Sequence, residues 1–433
     1  MNRANIEQAE SVPPSGCCEI WFFTSELEGQ RAGSFRQERW CYVFLDLGHP
    51  VTIFNITGFA HLNISSFSTR AQFAAFRTAQ IELAKPRASV REGLVARFLR
   101  RIKHLTLADL YLPNVAMLVI QASRRTRFAK TKLVLMASSP PFSTALAASF
   151  VKRMFPDRIT FAVDMRDAWA LHRALGGLKT IKRFVEQSVL KSADSVSTVS
   201  IGLKEEFDET YDLDVFVLYN VATHYFNISK SPRIDWFALN PHITAAKIKI
   251  VYTGSTPQGF YDVATLARAI GRLRRTDPKD ADRIQFIFIG ACAEVQQEAR
   301  KQAGVENDII FLPGVTHAEA KAIQQNADAL LFLGYYGVGV VSTKIFEYLA
   351  LCKPILPLFV THQSDVDQLL LRYGGKSCHL YTEDEIVGIL KEISQSGVDA
   401  VLPRQTDVMA VQELFAAYQP YGSRLIEKSS VRC

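Results

Sequence analysis

The stretch Gly337-Val-Gly-Val-Val-Ser-Thr-Lys-Ile-Phe-Glu-Tyr-Leu-Ala-Leu-Cys-Lys-Pro-Ile-Leu356 decides how this chain is read. The apolar run before it, 329–333, reads as a strand, and 354–358 reads as the next one. Between them a glycine-rich loop leads into a helix over about 342–351. Ser342 or Thr343 caps that helix where free backbone N–H groups and the positive end of the dipole face outward, and Lys344 adds a full positive charge. A diphosphate fits such a place. Glu347 lies one turn on, near the same face, where a carboxylate can accept hydrogen bonds from a ribose diol. The plain alternative is a capped surface helix carrying a Lys/Glu pair. Gly337-Val-Gly-Val-Val-Ser342 has Ser where a dinucleotide fingerprint has its third glycine, so a nicotinamide cofactor is not expected.

Working outward, strand-like apolar runs alternate with helical patterns, which implies β-α-β units and parallel sheets. In the second half the runs are 248–252, 284–289 and 309–312, with a helix over about 262–275. In the first half they are 18–24, 51–54, 132–136, 159–164, 195–199 and 215–218, with helices over about 35–47 and 143–154. From 219 to 247 the periodicity lapses, as it does in connections between domains. The expected division is a polar tail (1–17), a first Rossmann-like domain (18–225), a linker (226–246), a second Rossmann-like domain (247–406) and a C-terminal segment (407–433). Ligands of open parallel sheets bind beyond the carboxyl ends of the strands. Two further clusters follow strands. Gly254-Ser255-Thr256 can bring backbone and hydroxyls close to a phosphate, although a bare turn is the alternative. Asp164-Met165-Arg166-Asp167 either forms a structural ion-pair network or presents Arg166 and Asp167 to a substrate. The pairs Asp212/Asp214 and Asp365/Asp367 read as solvated surface, and no metal site is expected.

With 433 residues, 48% of them hydrophobic and 21% charged, the chain is neither disordered nor collagenous nor a small disulfide-stapled protein. Two cores are expected, with a cleft between them. No apolar run reaches the roughly 18 residues of a spanning helix, and the polar N-terminus lacks the apolar core of a secretory signal, so a cytoplasmic location is expected. The seven cysteines are scattered and read as reduced thiols. Residues 51–200 hold 23 Lys and Arg against 8 Asp and Glu, whereas 201–433 hold 23 against 28. The basic half is expected to meet something anionic. Its densest part, 89–108, reads as a basic amphipathic helix carrying Arg97, Arg100 and Arg101, either packed on its own domain or docked on an anionic membrane surface helped by Arg124, Arg125 and Arg127. No nucleic-acid-binding pattern is present.

At these clusters the chain resembles the retaining glycosyltransferases of family 4, over about 20–421. The stretch ending Lys344-Ile-Phe-Glu-Tyr-Leu-Ala-Leu-Cys-Lys-Pro-Ile is similar to the donor-binding "KxxEYLAxGKPI" of bacterial polysaccharide enzymes. Asp164-Met-Arg-Asp-Ala-Trp is similar to their "DxRDxW", and Phe311-Leu-Pro-Gly-Val to the turn that faces the nucleotide base. The resemblance implies the GT-B fold: two Rossmann-like domains facing across a cleft, with a C-terminal helix near 412–418 crossing back to the first domain. It implies donor contacts from Gly254, Ser255, Thr256, Gly314, Val315, Gly339, Ser342, Thr343, Lys344 and Glu347, and acceptor contacts from Gly33, Ser34, Arg36 and Ser139. Lys344, Asp167 and Arg166 take the catalytic roles. Three positions depart from the family pattern: Gly339 replaces the first Glu of an E-x7-E pair, Phe260 stands where Lys is frequent, and Arg166 where His is. The expected activity is metal-independent, retaining transfer of a sugar from a UDP- or GDP-sugar to a glycan or polyprenyl-diphosphate-linked acceptor, in cell-surface polysaccharide synthesis at the inner membrane face. No cofactor is expected. A nucleotide-sugar epimerase and a non-catalytic nucleotide-sugar-binding scaffold are the alternatives.

Overall fold

The longest apolar runs become strands buried on both faces, the pattern of parallel sheets covered by helices. The structure, a computed structural model, describes residues 18–25, 27, 32–58, 61–83, 112–170, 179–221, 233–257, 261–334, 341–377, 379–406 and 408–431. The expected basic helix with Arg97, Arg100 and Arg101 lies outside them, as do Phe260 and Gly339.

The first sheet contains β1 (Glu19–Thr24), β2 (Val51–Gly58), β3 (His61–Phe67), β4 (Leu133–Ser139), β5 (Ile159–Met165), β6 (Ser195–Thr198) and β7 (Val215–Val217), in the order β3-β2-β1-β4-β5-β6-β7. Every residue of β4 and β5 is buried. Ile20 pairs with Val51 on one side and Val134 on the other, so β1 is central. The sheet is not wholly parallel: β3 runs antiparallel to β2, pairing Phe67 with Val51 and Asn63 with Asn55. Its sequence, HLNISSF, is polar and half exposed, as an edge strand permits.

The second sheet contains β8 (Ile248–Thr253), β9 (Ile284–Ile289), β10 (Ile309–Leu312), β11 (Ala329–Leu333) and β12 (Ile355–Leu358), all parallel, in the order β10-β9-β8-β11-β12. The helix Val263–Thr276 shows how sequence sets its covering layer. The carboxylate of Asp262 accepts the Thr265 N–H at 2.9 Å, fixing the start. Val263, Leu266, Ala267, Ile270 and Leu273, at helical spacing, enter the core, while Arg268 and Arg272 stay at the surface.

Two compact units are present among the described residues. The first takes the chain to Thr198, then Phe207–Phe216 and the segment from Ala417 on; the second takes Val199–Glu206 and Val217–Ala416. The described part of the segment read as a linker, residues 233–246, falls in the second unit: Ile243 is buried in its core, and Gln285 donates to the His242 carbonyl at 2.8 Å. The C-terminal crossing also falls later than expected. Val411, on the helix Val408–Ala416, is buried in the second unit, and the returning helix is Tyr418–Val431. Among the described residues no helix is long and apolar enough to cross a membrane.

Candidate functional site

At the carboxyl edge of the second sheet, β8 ends in Gly254 and β9 in Gly290, both with left-handed φ, +133° and +137°. A Cβ on Gly290 would collide with the carbonyl of Gly254, so the two turns touch through backbone alone. Gly254 N–H donates to the Ile289 carbonyl at 2.7 Å and Gly290 N–H to that of Leu312 at 3.0 Å, which carries the contact on towards β10. A Cβ on Gly314 would lie 3.9 Å from the Gly290 Cα.

Lys344 reaches this run of glycines from the start of the helix Lys344–Ala350. A Cβ on Gly254 would stand 2.6 Å from Lys344 Nζ and 2.9 Å from its Cε, so the ammonium occupies the place a side chain would fill. The Tyr252 ring lies beneath it, 5.5 Å from Nζ to centroid, and the Tyr252 hydroxyl donates to the Ser255 carbonyl at 3.2 Å, holding the turn. Burial lowers the Lys344 pKa and the nearby Glu347 carboxylate partly restores it. Ser342 is the local cap, accepting the Lys344 N–H at 3.4 Å, while the Thr343 side chain caps nothing. The structure therefore groups Gly254, Ser255, Gly314, Ser342, Thr343, Lys344 and Glu347 on one sheet edge. Thr256 is buried and its N–H donates to the Ala291 carbonyl at 2.8 Å, so it fastens the β8 turn to the β9 turn. Val315 is partly exposed in the turn after β10.

Sequence reasoning missed two members. Gly290 closes β9 as Gly254 closes β8, a strand-then-glycine pattern visible in the sequence. His317 begins the helix His317–Asn326, whose capping box joins Thr316 and Glu319. Its imidazole pKa is lowered by burial, with Glu347 opposing and Lys321 and Lys344 adding to the drop, so it is neutral near pH 7 and able both to donate and to accept.

In the first unit β5 ends between two arrangements. Asp164 is fully buried, accepting Arg36 Nε at 2.7 Å, Arg36 Nη2 at 2.5 Å and the Ser197 hydroxyl at 2.9 Å. Arg36 also donates to the Tyr418 hydroxyl, as does Arg39 at 3.1 Å, and Tyr418 packs on Trp40 with centroids 4.8 Å apart. Arg36 was expected to touch an acceptor; its guanidinium is instead enclosed in this network. Just beyond, Arg166 N–H donates to the Ser139 carbonyl at 2.9 Å and its guanidinium to the Pro140 carbonyl, which joins the ends of β4 and β5. Asp167 is exposed, Trp169 stacks on Phe142 with centroids 4.2 Å apart, and Gly33 and Ser34 lie in the first turn of the helix Ala32–Asp46.

The pair Asp365/Asp367 is not solvated surface. Asp365 accepts the Ile201 and Gly202 N–H groups at 2.8 and 3.0 Å and the Tyr219 hydroxyl at 2.8 Å, and Asp367 is wholly buried. A carboxylate at the start of the helix Ile201–Tyr211 meets its unpaired N–H groups and dipole, a remote partnership that local sequence does not announce.

No protein-family model matches the sequence, and no curated protein matches it. Solved structures do match in fold. The α,α-trehalose-phosphate synthase (UDP-forming) of Burkholderia xenovorans, in complex with glucose-6-phosphate, aligns at TM-score 0.58 and 9% identity over 94% of this chain and 100% of that one. Sucrose-phosphate synthase of Thermosynechococcus elongatus aligns at 0.57 and 11% over 96% and 100%. A UDP-N-acetylglucosamine 2-epimerase aligns at 0.50 and 12% over 94% and 97%. At such identities the likeness is one of architecture, and the chain has the two-domain α/β fold known as GT-B.

Proposed function

We propose that this chain transfers a sugar from a nucleoside-diphosphate donor, a UDP- or GDP-sugar, to a hydroxyl of a glycan or lipid-linked acceptor, with retention and without a metal ion at the diphosphate. The observation that carries the reading is Lys344 Nζ seated against the side-chain-free Gly254 at the carboxyl edge of a parallel sheet, with Gly290 and Gly314 beside it. Backbone can approach a diphosphate closely there, and the ammonium meets the charge that develops as the anomeric C–O bond breaks. The acceptor oxygen forms the new bond on the leaving-group face and its proton passes to the departing diphosphate. Glu347 takes the ribose and the Gly314-Val315 turn the base. Ser139, Arg166, Asp167, Gly33 and Ser34 are assigned to the acceptor; Arg36 is not. Cell-surface polysaccharide assembly follows by analogy with the resembled family.

The deciding experiment incubates the protein with UDP- and GDP-sugars, with and without acceptor glycans, in EDTA. Acceptor-dependent product supports transfer. An altered sugar formed without acceptor replaces it with epimerisation, the activity named for one protein of the same fold, and nucleotide binding without turnover leaves a scaffold. A pH series adds a signature of Lys344. Its ammonium titrates below the ordinary lysine value of about 10.4, and a bound diphosphate raises it again. Affinity for UDP is therefore expected to fall as pH rises through the free protein's lowered Lys344 pKa, by up to about tenfold per pH unit. Calorimetric titrations should show this in wild type and a flat profile in Lys344→Gln; a flat wild-type profile contradicts the assignment.

Membrane docking belongs to the same proposal. Phe128 (84% exposed), Phe184 (71%), Leu112 and Met154 stand out from helices of the first unit, with Arg124 and Arg127 exposed among them. Co-sedimentation with phosphatidylglycerol vesicles is expected to drop when Arg124 and Arg127 become Glu, because each basic residue near an anionic surface contributes about 1 kcal/mol. Equal pelleting of the variant removes the membrane from the proposal.

A further inference from the structure

Beyond the end of β12 the chain places two imidazoles on one buried carboxylate. The Asp367 side chain is 0% exposed; its Oδ2 accepts the Gln363 N–H at 2.8 Å and faces His362 Nδ1 at 3.2 Å. Its Oδ1 has no partner at full hydrogen-bond geometry: the Ser377 hydroxyl, near enough to help hold the carboxyl low, is itself unpaired, and His379 Nε2 stands at 3.6 Å, beyond hydrogen-bond length. The other nitrogen of His379, Nδ1, is also buried without a partner. The two rings lie 4.6 Å apart, centroid to centroid, and one ligating atom from each of the three residues falls within 4.8 Å of the others. A buried carboxylate oxygen with no donor is costly, and native interiors rarely leave one unsatisfied.

We propose that His362, Asp367 and His379 form a binding site for a divalent transition ion of the zinc class. Two imidazoles and one carboxylate are the donors that zinc takes, whereas magnesium and calcium demand oxygen shells. Tetrahedral bonds of about 2.0–2.1 Å place ligand atoms roughly 3.3 Å apart; the imidazoles stand 3.2 and 3.6 Å from the two separate oxygens of Asp367, and the three ligand atoms, which lie within 4.8 Å of one another, must draw together on binding. The site is also built in advance. The Phe359 N–H donates to the Leu380 carbonyl at 3.0 Å and the Tyr381 hydroxyl to the Val360 carbonyl, so the two histidine-bearing segments are tied together beside the cluster. Asp367 is fixed at the start of the helix Asp365–Gly374, where the Ser364 hydroxyl accepts its N–H at 3.3 Å. His362 is 71% exposed, which leaves an entry path and a coordination position open to solvent. The cation would satisfy the unpartnered Asp367 Oδ1, leave His379 Nδ1 as a protonated donor, and clamp His379 onto the segment that carries His362 and Asp367. The site stands at the carboxyl end of the edge strand β12, whereas the glycine run lies at β8, β9 and β10, and the inference does not rest on sugar transfer.

The test is calorimetric titration of EDTA-treated, full-length protein with zinc chloride, followed by thermal denaturation with and without zinc. Wild type is expected to bind a single equivalent and to melt at a higher temperature when loaded. His362→Ala and His379→Ala should each weaken binding by at least about 100-fold and abolish the shift, since loss of even an outer-shell partner costs 10- to 100-fold. His362 is exposed, so its variant keeps the fold whatever befalls Asp367→Asn. Failure of wild type to bind zinc, or titration of both histidine variants like wild type, overturns the site.

Discussion

Asp164→Asn is expected to lower the stability of the first unit by about 3–5 kcal/mol, because it leaves the Arg36 guanidinium buried beside a neutral amide. Both side chains of this pair are fully enclosed. Burial alone would raise the Asp164 carboxyl and lower the Arg36 guanidinium; their mutual attraction and hydrogen bonds reverse both shifts. The carboxyl sits below its ordinary range, so its stabilisation is present above about pH 3.9, the value in an unfolded chain, and is lost as pH falls through the lower folded value. The gap between wild type and variant should therefore close in acid. Urea unfolding followed by tryptophan fluorescence reads this directly, since Trp21, Trp40 and Trp169 lie in the first unit and only Trp236 of the four tryptophans lies in the second. Replacing both partners by apolar residues, Arg36→Met with Asp164→Leu, should recover part of the loss, because the Arg36 charge leaves with its partner and the buried Arg39 is relieved of Arg36 as it loses Asp164. A single variant as stable as wild type would mean the pair is not what fixes helix Tyr418–Val431 against β5.

That network marks where the sequence was legible and where it was not. Strands β9, β10 and β11 were readable to the residue because short apolar runs, interrupted only by Gln285, are bounded by charged residues before them and by glycine or proline after them, and a strand buried on both faces favours such a pattern. Strand β3 escaped notice because an edge strand with one wet face carries Asn and Ser as readily as a loop does. The Lys344 and Gly254 clusters, some ninety residues apart in the chain, were each readable as phosphate-friendly, but their contact follows from β8 and β11 being neighbours in the sheet. Arg36 misled because its partners, Asp164 and Tyr418, come from distant segments; an arginine before an apolar helix face looks solvated until the fold encloses it. Asp367 misled for the same reason, and its histidines flank it in a spacing that matches no local metal motif.

Lys344→Ala is expected to weaken UDP binding by about 1.5–3 kcal/mol, the value of a hydrogen bond to a charged group, or about 10- to 150-fold in Kd. Turnover should fall further, by on the order of 10²–10³ in kcat, because the ammonium counts most where the diphosphate gains charge in the transition state. Calorimetry with UDP, GDP and ADP in EDTA measures the first effect, and acceptor-dependent product release the second. Loss of binding alone, with no turnover in wild type, would leave a nucleotide-binding scaffold; loss of neither would detach Lys344 from the nucleotide. Gly254→Ala sharpens the point without removing the charge. The new methyl would fall 2.6 Å from Nζ, at a backbone angle of +133° that L residues rarely adopt, so Lys344 must move away and the turn must strain. If the diphosphate lies in the angle between Gly254 and Lys344, this variant should lose UDP affinity with its full complement of positive charge intact. Unchanged affinity would show that long-range attraction to Lys344, rather than the close approach of backbone at Gly254, holds the nucleotide.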